Sequence, residues 1–346
     1  MTPGPDREQI AGLLHTSGIA RGISADALTV LSTKGISHDH WQIGETGLVL
    51  RIPRMNQWGM DPEAALKYQR TAFHRGHQSG HTPDCIETLS PSLALPRGAL
   101  IVEEIVGRAP VLPDDLGAIA DALATLHTMP MPDNDTCVPL QVHRNPVSST
   151  LLVIEEQAAS LARAGLDIKT LAAIREDLDW ARQFASRGEP DFDLCFVGTD
   201  THPGNFLIDP SGKAWFVDLE KSLYGAAPID LAHATLATST GWDPDCVGTP
   251  ATSDVKNFYQ RYLNTVGQDR AAELGPWLLP LRRLTWLRTI TWFARWRAQW
   301  SAADHAAARD ETMSDHIRFH IEQSFQPESI AACRADWLAP SALATK

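Results

Sequence analysis

Between Val197 and Glu220 the chain reads VGTDTHPGNFLIDPSGKAWFVDLE, and no other stretch limits the possible folds as strongly. Phe206, Leu207 and Ile208 form a short apolar run with strand character. Asp209-Pro210-Ser211-Gly212 supplies turn chemistry, because Pro presets φ and Gly tolerates a positive one. Ala214 to Val217 is a second apolar run, and it ends at Asp218. The pattern predicts a β-hairpin that brings Asn205 and Asp218, which flank the two runs, side by side. Asp200 stands five residues before Asn205.

These three side chains suit one chemistry. Phosphoryl transfer from ATP needs a carboxylate to orient the attacking hydroxyl and oxygen ligands to hold Mg²⁺ on the phosphates. Mg²⁺ takes few protein oxygens and completes its shell with water and phosphate, so Asn205 and Asp218 are enough. Protein kinases use the same order, D-x-x-x-x-N followed by a further Asp. Asp and Asn are also ordinary turn residues. The hairpin, the terminal Asp218 and the intervening His202-Pro203-Gly204 argue for a site over a plain turn.

The rest of the chain sets bounds. Its 346 residues allow about two domains or one two-lobed enzyme. It is 43% hydrophobic, enough for a large core, yet no run approaches the roughly 20 apolar residues of a membrane span. MTPGPDREQI has no basic region followed by an apolar segment, so a cytoplasmic protein without membrane association is expected. A net charge of −12 disfavours nucleic-acid binding and mildly favours a cationic small molecule. The 5 cysteines are widely spaced with no C-x-x-C, which points to reduced thiols and not to a disulfide or zinc framework. The scattered histidines, His38 and His40 or His74, His77 and His81, read as surface or capping groups.

Along the chain, Gln9 to Leu14 and Ala25 to Val30 read as helix. A strand follows through Lys34 to Ile43, then a turn at Gly44 to Gly47 and a strand from Leu48 to Ile52. Asp61-Pro62-Glu63 opens a helix toward His74, with Asp capping and Pro in the first turn. Gly98 to Val106 is another strand. Beyond residue 107 helical spacing dominates: Asp114 to Thr128, two segments within 148–187, Ser253 to Leu263, Gly275 to Trp300 and Ala302 to Phe325. The composition shift divides the chain into residues 1–106 and 107–346.

Gly198-Thr199-Asp200-Thr201-His202-Pro203-Gly204-Asn205 resembles, from the Asp onward, the H-G-D-x-H-P-x-N loop of the aminoglycoside phosphotransferase and choline kinase family. Val217-Asp218-Leu219-Glu220 resembles its I-D-x-[DE] element, Pro228-Ile229-Asp230-Leu231-Ala232 its D-P-x-x-D-L-A segment, and Leu126-His127 a helix-closing L-H. The likeness covers roughly residues 30–240. It implies an α+β, two-lobed protein-kinase-like fold with a small β-rich N-terminal lobe for nucleotide and a larger helical C-terminal lobe for the acceptor. It implies ATP and Mg²⁺, with Asp200 as the catalytic carboxylate and Asn205 and Asp218 on the metal. Arg51 would face the α- and β-phosphates, oriented by Glu63, and Val102 to Val106 would be the hinge, with Glu103 and Ile105 beside the nucleobase. The loop Lys34 to His40 would cover the phosphates. Glu220 would assist a second metal or the substrate, and His202 would support the loop. Two departures stand out: Gly198-Thr199 replaces His-Gly, and Arg51 stands where Lys is frequent. Arg and Lys are not equivalent on phosphate.

The resemblance places the acceptor in the helical part. Trp292, Trp296 and Trp300 share one helix face, among Arg282, Arg283, Arg288, Arg295 and Arg297. Such aromatics pack a core or wall a sugar or quaternary amine; the arginines pair with acids or meet an anionic acceptor. Trp242, Asp243 and Asp245 are further acceptor candidates. The leading expectation is a kinase, monomeric or homodimeric, acting on a hydroxyl of a small metabolite or antibiotic such as an aminoglycoside or choline-like alcohol. A nucleotide-binding pseudokinase is the alternative, motivated by Gly198 and Arg51. A metal-dependent hydrolase using Asp200, His202 and Asp218 is a third reading, which leaves Asn205 without a task.

Overall fold

The computed structural model describes residues 5–19, 22–31, 37–55, 59–133, 137–299 and 311–338. The first part of the chain builds one antiparallel sheet from β1 (Leu28–Val30), β2 (His38–Ile43), β3 (Leu48–Pro53), β4 (Cys85–Leu89) and β5 (Ala99–Glu103). Its strand order is β1-β2-β3-β5-β4. The alternation of β3 decides which side chains face which way. Leu50 and Ile52 share the outer core with Ala99 and Ile101 of β5, and α1 (Arg7–Ser17) covers them with Ile10 and Leu14. Val49 joins the inner core with Leu100 and Val102, and Arg51, paired with Leu100, lies buried on that same face. Across it lies α2 (Pro62–His77), capped by the Asp61 carboxylate, which accepts from the amides of Glu63 and Ala64.

Residues 25–30 are not the expected helix. A short 3₁₀ turn (Ala25–Ala27) leads into edge strand β1, whose Leu28, Thr29 and Val30 pair with Ile43, Gln42 and Trp41. Leu28-Thr29-Val30 is β-prone, and the tertiary partner β2 decides the outcome. Strand β4 was not foreseen either; its CIETL sequence carries two polar residues and a register shift against β5. The phosphate-covering loop expected at Lys34 to His40 lies outside the described residues at Lys34, Gly35 and Ile36.

After β5 the structure is mainly helical: α3 (Leu116–His127), α4 (Pro146–Ala158), α5 (Ile168–Ala185), α6 (Ala227–His233), α7 (Ala237–Thr240), α8 (Thr252–Val266), α9 (Gln268–Leu274), α10 (Leu278–Gln299), α11 (Glu311–Ser324) and α12 (Pro327–Leu338). Helix α12 is an addition to the sequence reading, and Trp300 and residues 302–310 lie outside the described residues. Two small antiparallel ribbons sit among the helices: β6 (Cys195–Val197) with β9 (Leu223–Gly225), and β7 (Phe206–Ile208) with β8 (Ala214–Phe216). Helix α10 is the central post, packed on α4 and α6. All five cysteines are buried, and none is in a disulfide. Among the described residues no helix is long and apolar enough to cross a membrane.

Candidate active site

The expected hairpin forms, and its closure does the positioning. Phe206 pairs with Phe216 and Ile208 with Ala214. The Asp209 carboxylate pins the turn, accepting from the amides of Ser211 and Lys213 and from the Trp215 indole. At the open end the Val217 amide donates to the Asn205 carbonyl at 2.9 Å, so Asn205 and Asp218 stand beside each other. The Asn205 amide nitrogen donates to the Asp200 carbonyl at 2.7 Å, which leaves its Oδ1 for a ligand. Asp200, Asn205 and Asp218 all line one cavity of 940 Å³ between the sheet and the helical part.

The loop that carries Asp200 is held from beneath. The buried Asp230 carboxylate of α6 accepts from the amides of Gly198 (2.7 Å) and Thr199 (2.8 Å). His127, closing α3, sets Nε2 against Asp230 at 3.1 Å and Nδ1 against the Tyr262 hydroxyl of α8 at 2.9 Å. Thr199 has φ +59°, an uncommon conformation for a β-branched residue. Its hydroxyl donates to the Lys221 carbonyl, and its carbonyl accepts from Arg288. Gly198 shows why a larger residue is absent: a Cβ there would lie 2.7 Å from the Phe216 ring. Phe216 therefore fills the space that a side chain at position 198 would need.

Lys221 was not singled out from the sequence, although it directly follows Glu220. Its Nζ donates to Asp200 Oδ2 at 2.6 Å, and His233 Nε2 lies 3.8 Å from Oδ1. Burial alone would raise the Asp200 carboxyl; Lys221, with smaller contributions from His202 and His233, more than offsets it and holds Asp200 ionised below the usual carboxylate range. Arg51 donates to the Val217 carbonyl at 2.6 Å and to Asp218 Oδ1 at 2.7 Å, with its guanidinium 5.2 Å from the Phe73 ring centroid. Burial would likewise raise Asp218, and Arg51 brings it down. Glu220 goes the other way: burial and the adjacent Asp218 charge push it up to about 7.

Glu63 does not orient Arg51. It is exposed in the first turn of α2, and the carboxylate partner of Arg51 is Asp218. The inward position on α2 belongs to Gln69, which meets His38 Nε2 at 3.3 Å. Glu103 and Ile105 line the cavity at its sheet side, where the Glu103 carboxylate accepts from the Asp84 amide. The residues available to a divalent cation are all oxygen donors apart from His38. Asp218, Glu220 and His38 offer ligand atoms within 4.8 Å of one another, and Asn205 adjoins them. Two crowded carboxylates, one of them pushed up by burial and then by the other's charge, fit a hard cation such as Mg²⁺.

On the helical side, Trp242, Asp243, Trp292 and Phe293 line the same cavity. Trp242 stacks on Phe293 at 6.0 Å and meets Trp292 edge-on at 5.6 Å. Trp296 stacks behind Trp292 at 6.5 Å, and Trp286 is wholly buried. Most of the α10 arginines serve the framework: Arg282 pairs with Asp336, Arg283 with Asp177, Arg295 with Glu156 and Arg297 with Glu322. Arg288 alone among these five lines the cavity.

A small antiparallel sheet over a helical part, with a site between them, defines a two-lobed protein-kinase-like fold. Solved structures agree. A choline kinase from Cryptosporidium parvum Iowa II superposes with TM-score 0.61 at 14% identity, covering 98% of each chain. A spectinomycin phosphotransferase in complex with ADP and spectinomycin gives 0.60 at 13%, over 94% of this chain and 96% of that one. An amicoumacin kinase in complex with AMP-PNP, Ca²⁺ and its ligand gives 0.58 at 13%, over 94% and 95%. No curated protein sequence matches significantly. The sequence profile of the phosphotransferase enzyme family matches residues 31–274, and the chain belongs to that family.

Proposed function

We propose that this protein is an ATP-dependent kinase that phosphorylates a hydroxyl of a small molecule. One observation carries the reading: Asp200, Asn205 and Asp218 converge on one cavity, with Arg51 and Lys221 beside them. Residues 1–106 then form the nucleotide lobe, residues 107–346 carry the catalytic loop and acceptor site, and the protein works in the cytoplasm.

Asp200 orients the acceptor hydroxyl and takes its proton late in the transfer. A carboxylate with a low pKa is adequate, since a loose transition state needs little proton abstraction beforehand. Lys221 keeps Asp200 ionised and fixes one of its oxygens. Asn205 and Asp218 are the residues that would hold Mg²⁺, which when bound supplies neutralisation of phosphate charge. Arg51 is the lobe's cation for the phosphates. It already adjoins Asp218, so phosphate and metal ligands share one corner. The pseudokinase alternative draws on Gly198 and Arg51; against it, Phe216 fills the space beside Gly198 and Arg51 reaches Asp218.

The test is ADP release from Mg·ATP over a panel of hydroxylated acceptors. Asp200→Ala is expected to lower kcat by about 10³-fold or more while AMP-PNP binding stays within about threefold. Turnover that survives the substitution, or no nucleotide binding by the wild type, would sink the assignment.

A further inference from the structure

Among the described residues, three with fixed positive charge line the cavity: Arg51, Lys221 and Arg288. Arg51 is held at Asp218 and the Val217 carbonyl, in the corner of the metal ligands. Arg288 donates to the Thr199 carbonyl. Lys221 is the one of the three whose carboxylate partner is Asp200, with Nζ 2.6 Å from Oδ2. The pair is not sealed from solvent: the Lys221 side chain is 27% exposed and that of Asp200 23%. Both residues line the cavity, so an anion entering it can reach the ammonium.

The chemistry of the transfer brings such an anion there. A hydroxyl oriented by Asp200 stands about 3 Å from the carboxylate. The attacked phosphorus stands about 3–3.5 Å beyond that hydroxyl. The γ-phosphoryl oxygens therefore arrive beside the Asp200 carboxylate, where Lys221 Nζ already sits. An ammonium has three N–H donors on a flexible stem. Asp200 Oδ2 takes one, and the others can turn to a phosphoryl oxygen.

The local charges call for that contact. The transferring group spreads negative charge over three oxygens. Asp200, Asp218 and Glu220 all line the cavity it enters. Arg51 is engaged at Asp218, so a cation at Asp200 is what shields the γ-phosphoryl group from the carboxylate that orients its attacker.

We propose that Lys221 is a catalytic residue whose ammonium bridges Asp200 Oδ2 and an oxygen of the γ-phosphoryl group. In the step, the acceptor oxygen bonds to the γ-phosphorus as the bond from that phosphorus to the oxygen of ADP breaks. ADP leaves with the electron pair, and Asp200 takes the hydroxyl proton. Lys221 moves no proton; it supplies positive charge where negative charge spreads. This rests on the kinase reading above and adds a substrate contact to the pairing of Lys221 with Asp200.

The experiment is calorimetric titration with Mg·ADP and Mg·AMP-PNP, which differ by the γ-phosphoryl group. The proteins are the wild type, Lys221→Met, Asp200→Asn and the double variant. In Lys221→Met, AMP-PNP affinity is expected to fall about tenfold or more, the worth of one charge-assisted hydrogen bond, with ADP affinity within about twofold. Retained ADP binding also reports a folded protein. Lys221→Gln is measured beside Lys221→Met, so that a variant lost to misfolding does not decide the outcome. Lys221→Arg keeps the charge and should hold the ratio of the two affinities within about threefold of wild type. The double variant separates contact from neutralisation of Asp200: the loss of about tenfold should persist when residue 200 is already Asn. Equal loss for both nucleotides, loss for neither, or an effect that disappears in the Asp200→Asn background overturns the proposal. Selective loss of AMP-PNP affinity together with turnover that survives Asp200→Ala upholds the contact and overturns the kinase reading instead.

Discussion

Gly198 and Thr199 show how a single position reads differently once its neighbours are known. From the sequence, the missing His looks like a loss at the catalytic loop. In the fold the space is already filled, by Phe216 from across the hairpin, and Asp230 holds the loop through the amides of residues 198 and 199. Gly198→Ala is therefore expected to lower unfolding stability by about 2 kcal/mol through overpacking. Combining it with Phe216→Leu should cost less than the sum of the two single changes, since the second relieves the first. Urea denaturation of the four proteins in that cycle measures this, and simple additivity would refute it. Lys221 escaped the sequence reading because a lone charge carries no local signal until the fold brings it to Asp200. Glu63 illustrates the converse, a residue at a plausible spacing whose side chain points to solvent.

At the scale of elements, the hairpin and helix α2 were legible because their information is local: turn residues, alternation and an Asp-Pro cap. Residues 25–30 were not, because the partner strand β2 decides their state. Helix α10 carries apolar and arginine residues all round, and only its neighbours sort them. Asp177 of α5 is wholly buried and pairs with Arg283 of α10 at 2.6 Å and Arg334 of α12 at 2.7 Å. Asp177→Ala leaves two arginines without their carboxylate and should cost about 3–5 kcal/mol, read as a lower urea midpoint. Acid should loosen the aromatic wall. Burial keeps His320 of α11 below its ordinary value; its Nε2 donates to the Thr238 carbonyl, and its ring edges Trp242 and Phe293. His316 and His202, the charged or titratable groups acting on it, push the same way. The stability held by the neutral ring is complete above the unfolded value of about 6.5 and is lost as pH falls toward the lower folded value. Stability should drop by up to about 1.4 kcal/mol per pH unit for each such histidine, His233 included. Urea midpoints between pH 7.5 and 5 should show a shallower slope in His320→Gln.

For the whole molecule, the cavity between sheet and helices makes ligand binding a stability term for both parts at once. AMP-PNP with Mg²⁺ at 100 times its Kd should stabilise the protein by about 2.7 kcal/mol, and thermal denaturation reports it. EDTA, or Asp218→Ala, should remove most of that shift; an unchanged shift would argue against Asp218 as a metal ligand. The sequence by itself determined the two-part architecture, the hairpin and the order of Asp200, Asn205 and Asp218, because helix periodicity, turn chemistry and motif spacing act over a few residues. Only the tertiary structure decided that Phe216 fills the space beside Gly198, that Lys221 and Arg288 flank Asp200, and that most of the α10 arginines are framework. Those contacts join residues far apart in the chain. Burial, pairing and the sign of the local field are properties of the packed neighbourhood, which no local pattern encodes.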